Sequence, residues 1–300
     1  MLRSDVGFAS EGIRLRGWLY RPHDRADNLW PAIVMAHGFS AVKEQYLDRY
    51  AEVFASAGFI VLVFDHANFG DSDGLPRQEV DPVRQRRGYR DAISYLNTLP
   101  EVDSSRIGIW GSSFSGGHVI EVAAIDRRVR CVVTQVPQTS GYEAALRRTR
   151  ADLVPAALER FAKDRLGRFQ GAAPTMIPAV SDDPSTSCAM PGMDCYTFFT
   201  ETMPFAPNWR NEVTLRSAEM SRENEPGRFI ARISPTPMLM IVADNDLLTA
   251  TDLALSAYEV AREPKKLVMI PGGHFTPYIE HFELTSGVAR DWFTQYLLAP

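Results

Sequence analysis

The sequence predicts an α/β protein with a mostly parallel central sheet, flanked by helices and interrupted by an inserted helical cap. Short, continuous apolar runs indicate strands that are buried on both faces of a parallel sheet. Segments with helical periodicity alternate with these runs, as in right-handed βαβ units. The alternation stops between Pro137 and Pro235, where no convincing core strand occurs. This gap predicts the insertion.

The chain is expected to open with an antiparallel hairpin, residues 6–10 and 13–20, because Glu11-Gly12 separates two β-rich runs. Further strands are then predicted wherever a short apolar run occurs, at 31–36, 59–64, 106–110, 129–136, 237–242 and 266–270. The intervening helical patterns predict helices at 44–57, 83–99, 115–125, 251–262 and 278–298.

The long interval without a core strand exceeds what a simple connection requires. We therefore expect a core domain of residues 1–137 and 233–300 and an inserted, mainly helical cap of residues 138–232. Within this cap the pattern predicts one helix near 142–166, an irregular part that contains several prolines, and a second helix near 194–202.

At 300 residues, with 45% hydrophobic and 23% charged residues, the chain has the composition of a globular enzyme. The net charge is −5 with both signs interspersed, which disfavours nucleic acid and anionic membranes as partners. No apolar run approaches the roughly 20 residues that span a bilayer, and the first residues lack the apolar region of a signal peptide. We therefore expect a cytoplasmic protein. Its oligomeric state is left open, with a homodimer as one option.

Three cysteines, an odd number, suit a reducing compartment. Cys131 falls in a predicted core strand, whereas Cys188 and Cys195 are close together in an irregular segment. Free thiols are the main prediction, and a Cys188–Cys195 disulfide is the alternative. The spacing does not match a zinc site, and we expect neither a metal nor a cofactor.

A serine-rich turn follows the apolar run at 106–110 and has the pattern of a nucleophile elbow. Such a turn holds its serine in strained geometry and needs small residues two positions before and after it. Gly111 and Ser115 meet this requirement for Ser113, although Ser115 stands where a glycine is usual. Ser115 is itself the alternative nucleophile, with Ser113 and Gly117 at its crowded positions. Ser113 is preferred because the strand ends just before Gly111.

A serine hydroxyl needs a base that is oriented by a carboxylate. His274 lies in a glycine-rich loop after the last predicted strand, and Asp246 follows the strand before it. Asp244 competes with Asp246 for the role of the acid, but it lies close to the strand end and could instead cap the turn. Of the other histidines, His118 is read as packing or paired with a charge, and no partner pattern is evident for His23, His66 or His281.

Backbone amides are expected to bind the oxyanion of the tetrahedral intermediate. One belongs to Phe114, directly after the serine, and the other to Phe39, in the His37-Gly38-Phe39 loop after the strand at 31–36. The polar loop at 65–74 is interpreted as structural because its acidic residues have no evident partner. A largely apolar pocket is expected, with these candidate lining residues: Phe275, Met190, Met193, Phe198, Phe199 and Trp209.

Taken together, these motifs resemble the α/β-hydrolase superfamily over nearly the full chain. The His37-Gly38-Phe39 loop, the elbow around Ser113 and the Pro-Gly-Gly-His loop ending at His274 look most like dienelactone-hydrolase-like and polyketide-transferase-like esterases. The resemblance implies the α/β-hydrolase fold and a Ser-His-Asp mechanism without a cofactor.

We therefore expect a serine hydrolase that cleaves small to medium apolar or aryl carboxylic esters through an acyl-enzyme. Acyl transfer, and cleavage of a lactone, a thioester or a carbon–carbon bond, are alternatives on the same fold. A non-catalytic small-molecule-binding module is the alternative from another class.

Overall fold

The computed structural model describes residues 1–22 and 29–298. Its centre is an eight-stranded, mostly parallel sheet. Its strands are, in chain order, β1 (Leu2–Ser10), β2 (Ile13–Arg21), β3 (Trp30–Ala36), β4 (Ile60–Phe64), β5 (Val102–Ser112), β6 (Val129–Gln135), β9 (Met238–Ala243) and β10 (Lys265–Ile270). Their spatial order is β1-β2-β4-β3-β5-β6-β9-β10. Strand β2 is antiparallel to β1 and to β4, and the remaining neighbours are parallel. The predicted fold class is confirmed.

Helices cover both faces of the sheet because its central strands are apolar on both sides. They are α1 (Leu47–Ser56), α2 (Pro82–Leu96), α3 (Phe114–Ile125), α8 (Thr251–Val260) and α9 (Phe282–Phe293). Helices α1 and α9 pack on one face through Phe54 and Phe293. Helices α2, α3 and α8 pack on the other, where Val34 and Ile120 are fully buried. The predicted helix at 278–298 is shorter than expected, since a separate turn at Thr276–Tyr278 precedes α9.

The chain leaves the sheet after β6 and returns to it at β9. This excursion contains the four helices and two short strands that the structure describes there: α4 (Gly141–Arg148), α5 (Val154–Phe169), β7 (Met176–Ile177), α6 (Met193–Thr202), β8 (Val213–Thr214) and α7 (Leu215–Glu223). Strands β7 and β8 pair only with each other. The elements from Gly141 to Glu223 lie inside the range predicted for the cap, residues 138–232, and the division into a core and a cap stays a prediction.

The single helix predicted at 142–166 is wrong. Two helices, α4 and α5, replace it because Pro155 has no N–H to donate and would clash with the carbonyl four residues earlier in a continuous helix. Pro155 is instead accommodated in the first turn of α5. Helix α7 was not predicted because its sequence is mostly polar, although Thr214 caps it by accepting a hydrogen bond from the Ser217 N–H at 3.2 Å.

Cys131, Cys188 and Cys195 are all free thiols, which confirms the main prediction for them. Cys131 is fully buried in β6, as expected. Among the described residues, no helix combines the length and apolar character needed to cross a membrane. His23 lies outside the described residues.

Candidate active site

Ser113 occupies the turn between β5 and α3, with backbone angles φ 58° and ψ −120°. This is a strained conformation for a residue with a side chain. The turn is sharp because β5 and α3 nearly touch: a Cβ atom on Gly111 would lie 2.2 Å from the carbonyl oxygen of Ser115. Only glycine fits there, and the tight turn exposes the Ser113 hydroxyl at the carboxyl end of β5.

The structure brings Ser113, His274 and Asp246 together from three separate loops. Ser113 Oγ lies 2.9 Å from His274 Nε2, and His274 Nδ1 lies 2.7 Å from Asp246 Oδ2. His274 and Asp246 are buried, at 1% and 3% exposure. Both follow parallel strands at the same edge of the sheet, so their loops meet beside the elbow.

The alternative residues have other partners. The Ser115 hydroxyl donates to the carbonyl of His37 at 2.5 Å and lies 3.0 Å from His66 Nε2. Asp244 is exposed and accepts a hydrogen bond from the Gly272 N–H at 2.9 Å, which caps the turn after β10. Neither is among the hydrogen-bond partners of His274, which are Ser113, Asp246 and Thr249.

Asp246 is surrounded by donors that favour its charged form. Oδ1 accepts hydrogen bonds from the backbone N–H groups of Leu248 and Thr249, both at 2.9 Å, and Oδ2 lies 2.8 Å from Thr249 Oγ1. Burial by itself would raise the pKa of Asp246, but the His274 ring and the Thr249 donors outweigh it and hold that pKa below its ordinary value. Thr249 Oγ1 is also 3.2 Å from His274 Nδ1. Sequence reasoning missed Thr249.

The loop after β3 lies against the elbow. A Cβ on Gly38 would be 3.2 Å from Ser113 Cβ and 3.5 Å from its Oγ, so glycine lets this backbone approach the serine. The rings of Phe39 and Phe114 pack edge to face with centroids 5.4 Å apart. Within residues 1–22 and 29–298, the backbone N–H groups of Phe39 and Phe114 donate to no other group.

The loop at 65–74 has a partner that the sequence did not reveal. The fully buried Asp65 accepts a hydrogen bond from Lys43 Nζ at 2.9 Å, and Asp71 does so at 2.5 Å. Glu44, Asp65 and Asp71 have carboxylate oxygens within 4.8 Å of one another, a spacing that suits a cation. The Lys43 ammonium donates to all three carboxylates and so already occupies the position that a metal ion would take. We therefore interpret this cluster as a structural ion-pair network.

A cavity of about 450 Å³ opens at Ser113 and extends among residues of the chain excursion between β6 and β9. Its wall includes Phe39, Phe114 and the predicted Met190. Four arginines also line it: Arg148, Arg150, Arg160 and Arg222. None of the described lining residues is acidic. The expectation of a largely apolar pocket was thus incomplete.

A second, smaller cavity of about 30 Å³ lies beside Ser113 and His274, and the predicted residues Phe198, Phe199 and Phe275 line it. Trp209, which was expected to line the pocket, lines neither cavity. Its ring instead stacks on that of Phe199, with centroids 5.2 Å apart. Met193 is likewise not among the lining residues and is 59% exposed. Periodicity alone could not tell which side of an aromatic layer faces the cavity.

The chain is similar to known proteins over most of its length. Residues 11–276 match the family described as X-Pro dipeptidyl-peptidase (S15 family). The quorum-quenching protein AidA of Acinetobacter baumannii (strain MDR-ZJ06) is 35% identical over 93% of this chain and 90% of its own length. A thiohydrolase of Eupenicillium brefeldianum is 33% identical over 91% and 87% of the two chains.

The crystal structure of the α/β-hydrolase GrgF from Penicillium sp. sh18 superposes with a TM-score of 0.85 at 27% identity and covers 100% of both chains. The predicted superfamily is therefore confirmed. The chain belongs to the X-Pro dipeptidyl-peptidase (S15) family, within the α/β-hydrolase superfamily.

Proposed function

We propose that this protein is a serine hydrolase that cleaves carboxylic esters through an acyl-enzyme. Membership in a hydrolase family supports an enzyme of this general type. The observation that carries the proposal is the continuous contact from Ser113 Oγ through His274 to the buried carboxylate of Asp246, at 2.9 Å and 2.7 Å.

In the proposed mechanism, Ser113 attacks the substrate carbonyl while His274 Nε2 accepts its proton. Asp246 keeps the other ring nitrogen protonated and stabilises the imidazolium that forms. His274 then returns the proton to the leaving alcohol, which departs as the acyl-enzyme forms. A water molecule, deprotonated by His274, attacks this ester and releases the acid and the free serine.

The two amides without partners, those of Phe39 and Phe114, are assigned to the oxyanion of each tetrahedral intermediate. Both residues are buried beside Ser113, and their N–H groups donate to no described residue. Preformed donors of this kind stabilise developing negative charge without reorganisation, and losing one typically costs about 10²- to 10³-fold in rate.

A thioester is the second candidate substrate. The relative from Eupenicillium brefeldianum carries the name thiohydrolase, and the same acyl-enzyme route applies when a thiol leaves. Peptidase activity of the kind in the family's name is disfavoured here, because a free peptide amino terminus is a cation and the cavity wall carries four arginines and no described acidic residue.

Labelling with a fluorophosphonate probe tests the proposal. Wild type, Ser113→Ala and Ser105→Ala would be compared, and the modified peptide identified by mass spectrometry. Ser105 is an exposed serine on the same strand, so its replacement is the matched control. A label on Ser113 that persists in the control and vanishes in Ser113→Ala supports an activated serine. A label on another residue, or none on folded protein, would overturn the assignment and favour a binding module.

A further inference from the structure

Three of the four arginines that line the larger cavity form no ion pair within the described residues, and two of these three, Arg148 and Arg222, are not fully exposed, whereas Arg160 is exposed. Arg148 ends helix α4 and Arg222 lies in the last turn of α7, and both are half-buried. Among the residues that the structure describes, no carboxylate lies within 4 Å of either guanidinium, whereas Arg150 pairs with Asp152 at 2.8 Å.

Arg148 is held next to the proposed catalytic residues. One of its guanidinium nitrogens, Nη1, donates to the carbonyl oxygen of Leu248 at 3.2 Å. Leu248 directly precedes Thr249, and both residues line the cavity and donate backbone hydrogen bonds to Asp246. The Asp246 carboxylate is already occupied by these donors and by His274, so it does not neutralise Arg148.

The two positive charges of Arg148 and Arg222 repel each other when no anion lies between them. Burial lowers the pKa of Arg148, and the neighbouring Arg222 cation lowers it further, although nearby Asp246 acts in the opposite sense. A guanidinium nevertheless stays protonated at neutral pH. Two cations without a carboxylate partner at the wall of one cavity favour an anionic ligand there.

We propose that the substrate carries an anionic oxygen group, a carboxylate or a phosphate, that Arg148 and Arg222 bind while Ser113 attacks its ester or thioester carbonyl. This inference rests on the proposed function and narrows the substrate to amphipathic acyl compounds. The apolar part of the cavity, with Leu153, Phe161 and Met190 in its wall, accommodates the chain between the carbonyl and the anion. Arginine is suited to this role because its planar donors match both anions.

Two matched substrate pairs test the proposal and separate the two sources of charge. The first pair is mono-p-nitrophenyl adipate, with a free carboxylate, and p-nitrophenyl methyl adipate, which is neutral. The second pair is the hexanoyl thioester of phosphopantetheine and that of pantetheine, which lacks the phosphate. We expect wild type to prefer the anionic member of one pair by about 10-fold or more in kcat/KM, the effect of a hydrogen bond to a charged group.

Arg148→Met and Arg222→Met should each reduce this preference toward unity, so the ratio of the two kcat/KM values is the readout. Arg147→Met is the matched control: Arg147 precedes Arg148 on the same helix, but pairs with Asp252 at the surface and does not line the cavity. Equal kcat/KM values within both pairs, or a preference that survives both cavity variants, would overturn the proposal.

A binding measurement distinguishes failure of the proposed anion site from failure of the proposed hydrolase function. Adipate would be titrated by calorimetry into Ser113→Ala and into the double variant Ser113→Ala/Arg148→Met, with inorganic phosphate in parallel. Anion binding that is lost in the double variant supports the arginine site even if no ester is hydrolysed. The absence of binding by both anions, in a protein that hydrolyses neutral esters, refutes the anion site and leaves the hydrolase assignment standing.

Discussion

Acid should destabilise this protein through three buried histidines next to the elbow. The rings of His37 and His66 pack with centroids 4.7 Å apart, and those of His66 and His118 with centroids 5.8 Å apart. His37 is 2% exposed and the other two are fully buried. We expect the free energy of unfolding to fall as these rings become able to bind protons in the unfolded chain.

Their hydrogen bonds indicate that all three rings are neutral in the folded state. The backbone N–H of His66 donates to His37 Nε2 at 3.0 Å, so the His37 proton is on Nδ1, which lies 2.9 Å from the Gly38 carbonyl oxygen. His118 Nε2 donates to Gln85 Oε1 at 2.8 Å, and the Nδ1 atoms of His66 and His118 have no described partner. An additional proton on His66 or His118 would therefore be buried without an acceptor. One on His37 would displace the hydrogen bond from the His66 N–H, with the Asp65 carboxylate 3.8 Å from Nε2.

Burial lowers the pKa of all three histidines, to about 4 for His37 and well below the ordinary value for His66 and His118. The unfolded chain, with histidine pKa values of about 6.5, then binds protons that the folded chain rejects, so stability is greatest above that pH and falls with acidification. From pH 7 to pH 5 this linkage amounts to about 2 kcal/mol for each ring that stays neutral. Three rings together approach the stability of a typical domain, about 5–15 kcal/mol.

Urea unfolding at pH 7, 6 and 5 measures this effect in wild type and in His118→Gln. The variant should lose about 2 kcal/mol less than wild type over that interval, because one titrating ring has been removed. Gln85→Met is the matched control: it removes the partner of His118 but keeps the ring, and should change the unfolding free energy by the same amount at each pH. Parallel pH profiles of wild type and His118→Gln would refute the reasoning.

Three other changes have clear expected outcomes. Asp246→Asn should lower kcat by about 10³- to 10⁴-fold, and Asp244→Asn by far less, since Asp244 only caps a turn. Steady-state assays with a p-nitrophenyl ester measure both values, and the reverse ranking would identify Asp244 as the acid. Gly111→Ala places a methyl group against backbone and should cost at least about 1–3 kcal/mol, measured as a lower Tm; an unchanged Tm would contradict the close approach. Lys43→Met leaves Asp65 buried without its cation and should cost about 3–5 kcal/mol at pH 7. Because burial raises the pKa of Asp65, that loss should shrink as the pH falls, and a pH-independent loss would argue against an uncompensated carboxylate.

The succession of the strands along the chain, and the positions of Ser113, Asp246 and His274 after three of them, could be predicted because strand runs and small-residue turns are local patterns. The spatial order of the strands could not. The sequence favoured Ser113 over Ser115 from the position of the turn, but the hydrogen-bond partners of the two hydroxyls, His274 and the His37 carbonyl, are visible only in the structure. Pairings between distant segments, such as Lys43 with Asp65, were equally invisible. Pro155 marks the break between α4 and α5 in the sequence, but helical periodicity on both sides of the proline favoured one continuous helix.

Ser115 has a consequence that extends beyond the identity of the nucleophile. The two amides assigned to the oxyanion come from different segments, one at the start of α3 and the other in the loop after β3. The Ser115 hydroxyl bridges these segments, because it belongs to α3 and donates to the His37 carbonyl at the base of that loop. A glycine, the usual residue at this position, could form no such bridge. The serine that departs from the usual motif therefore links the two segments that carry the Phe39 and Phe114 amides, and limits how far these amides can move apart.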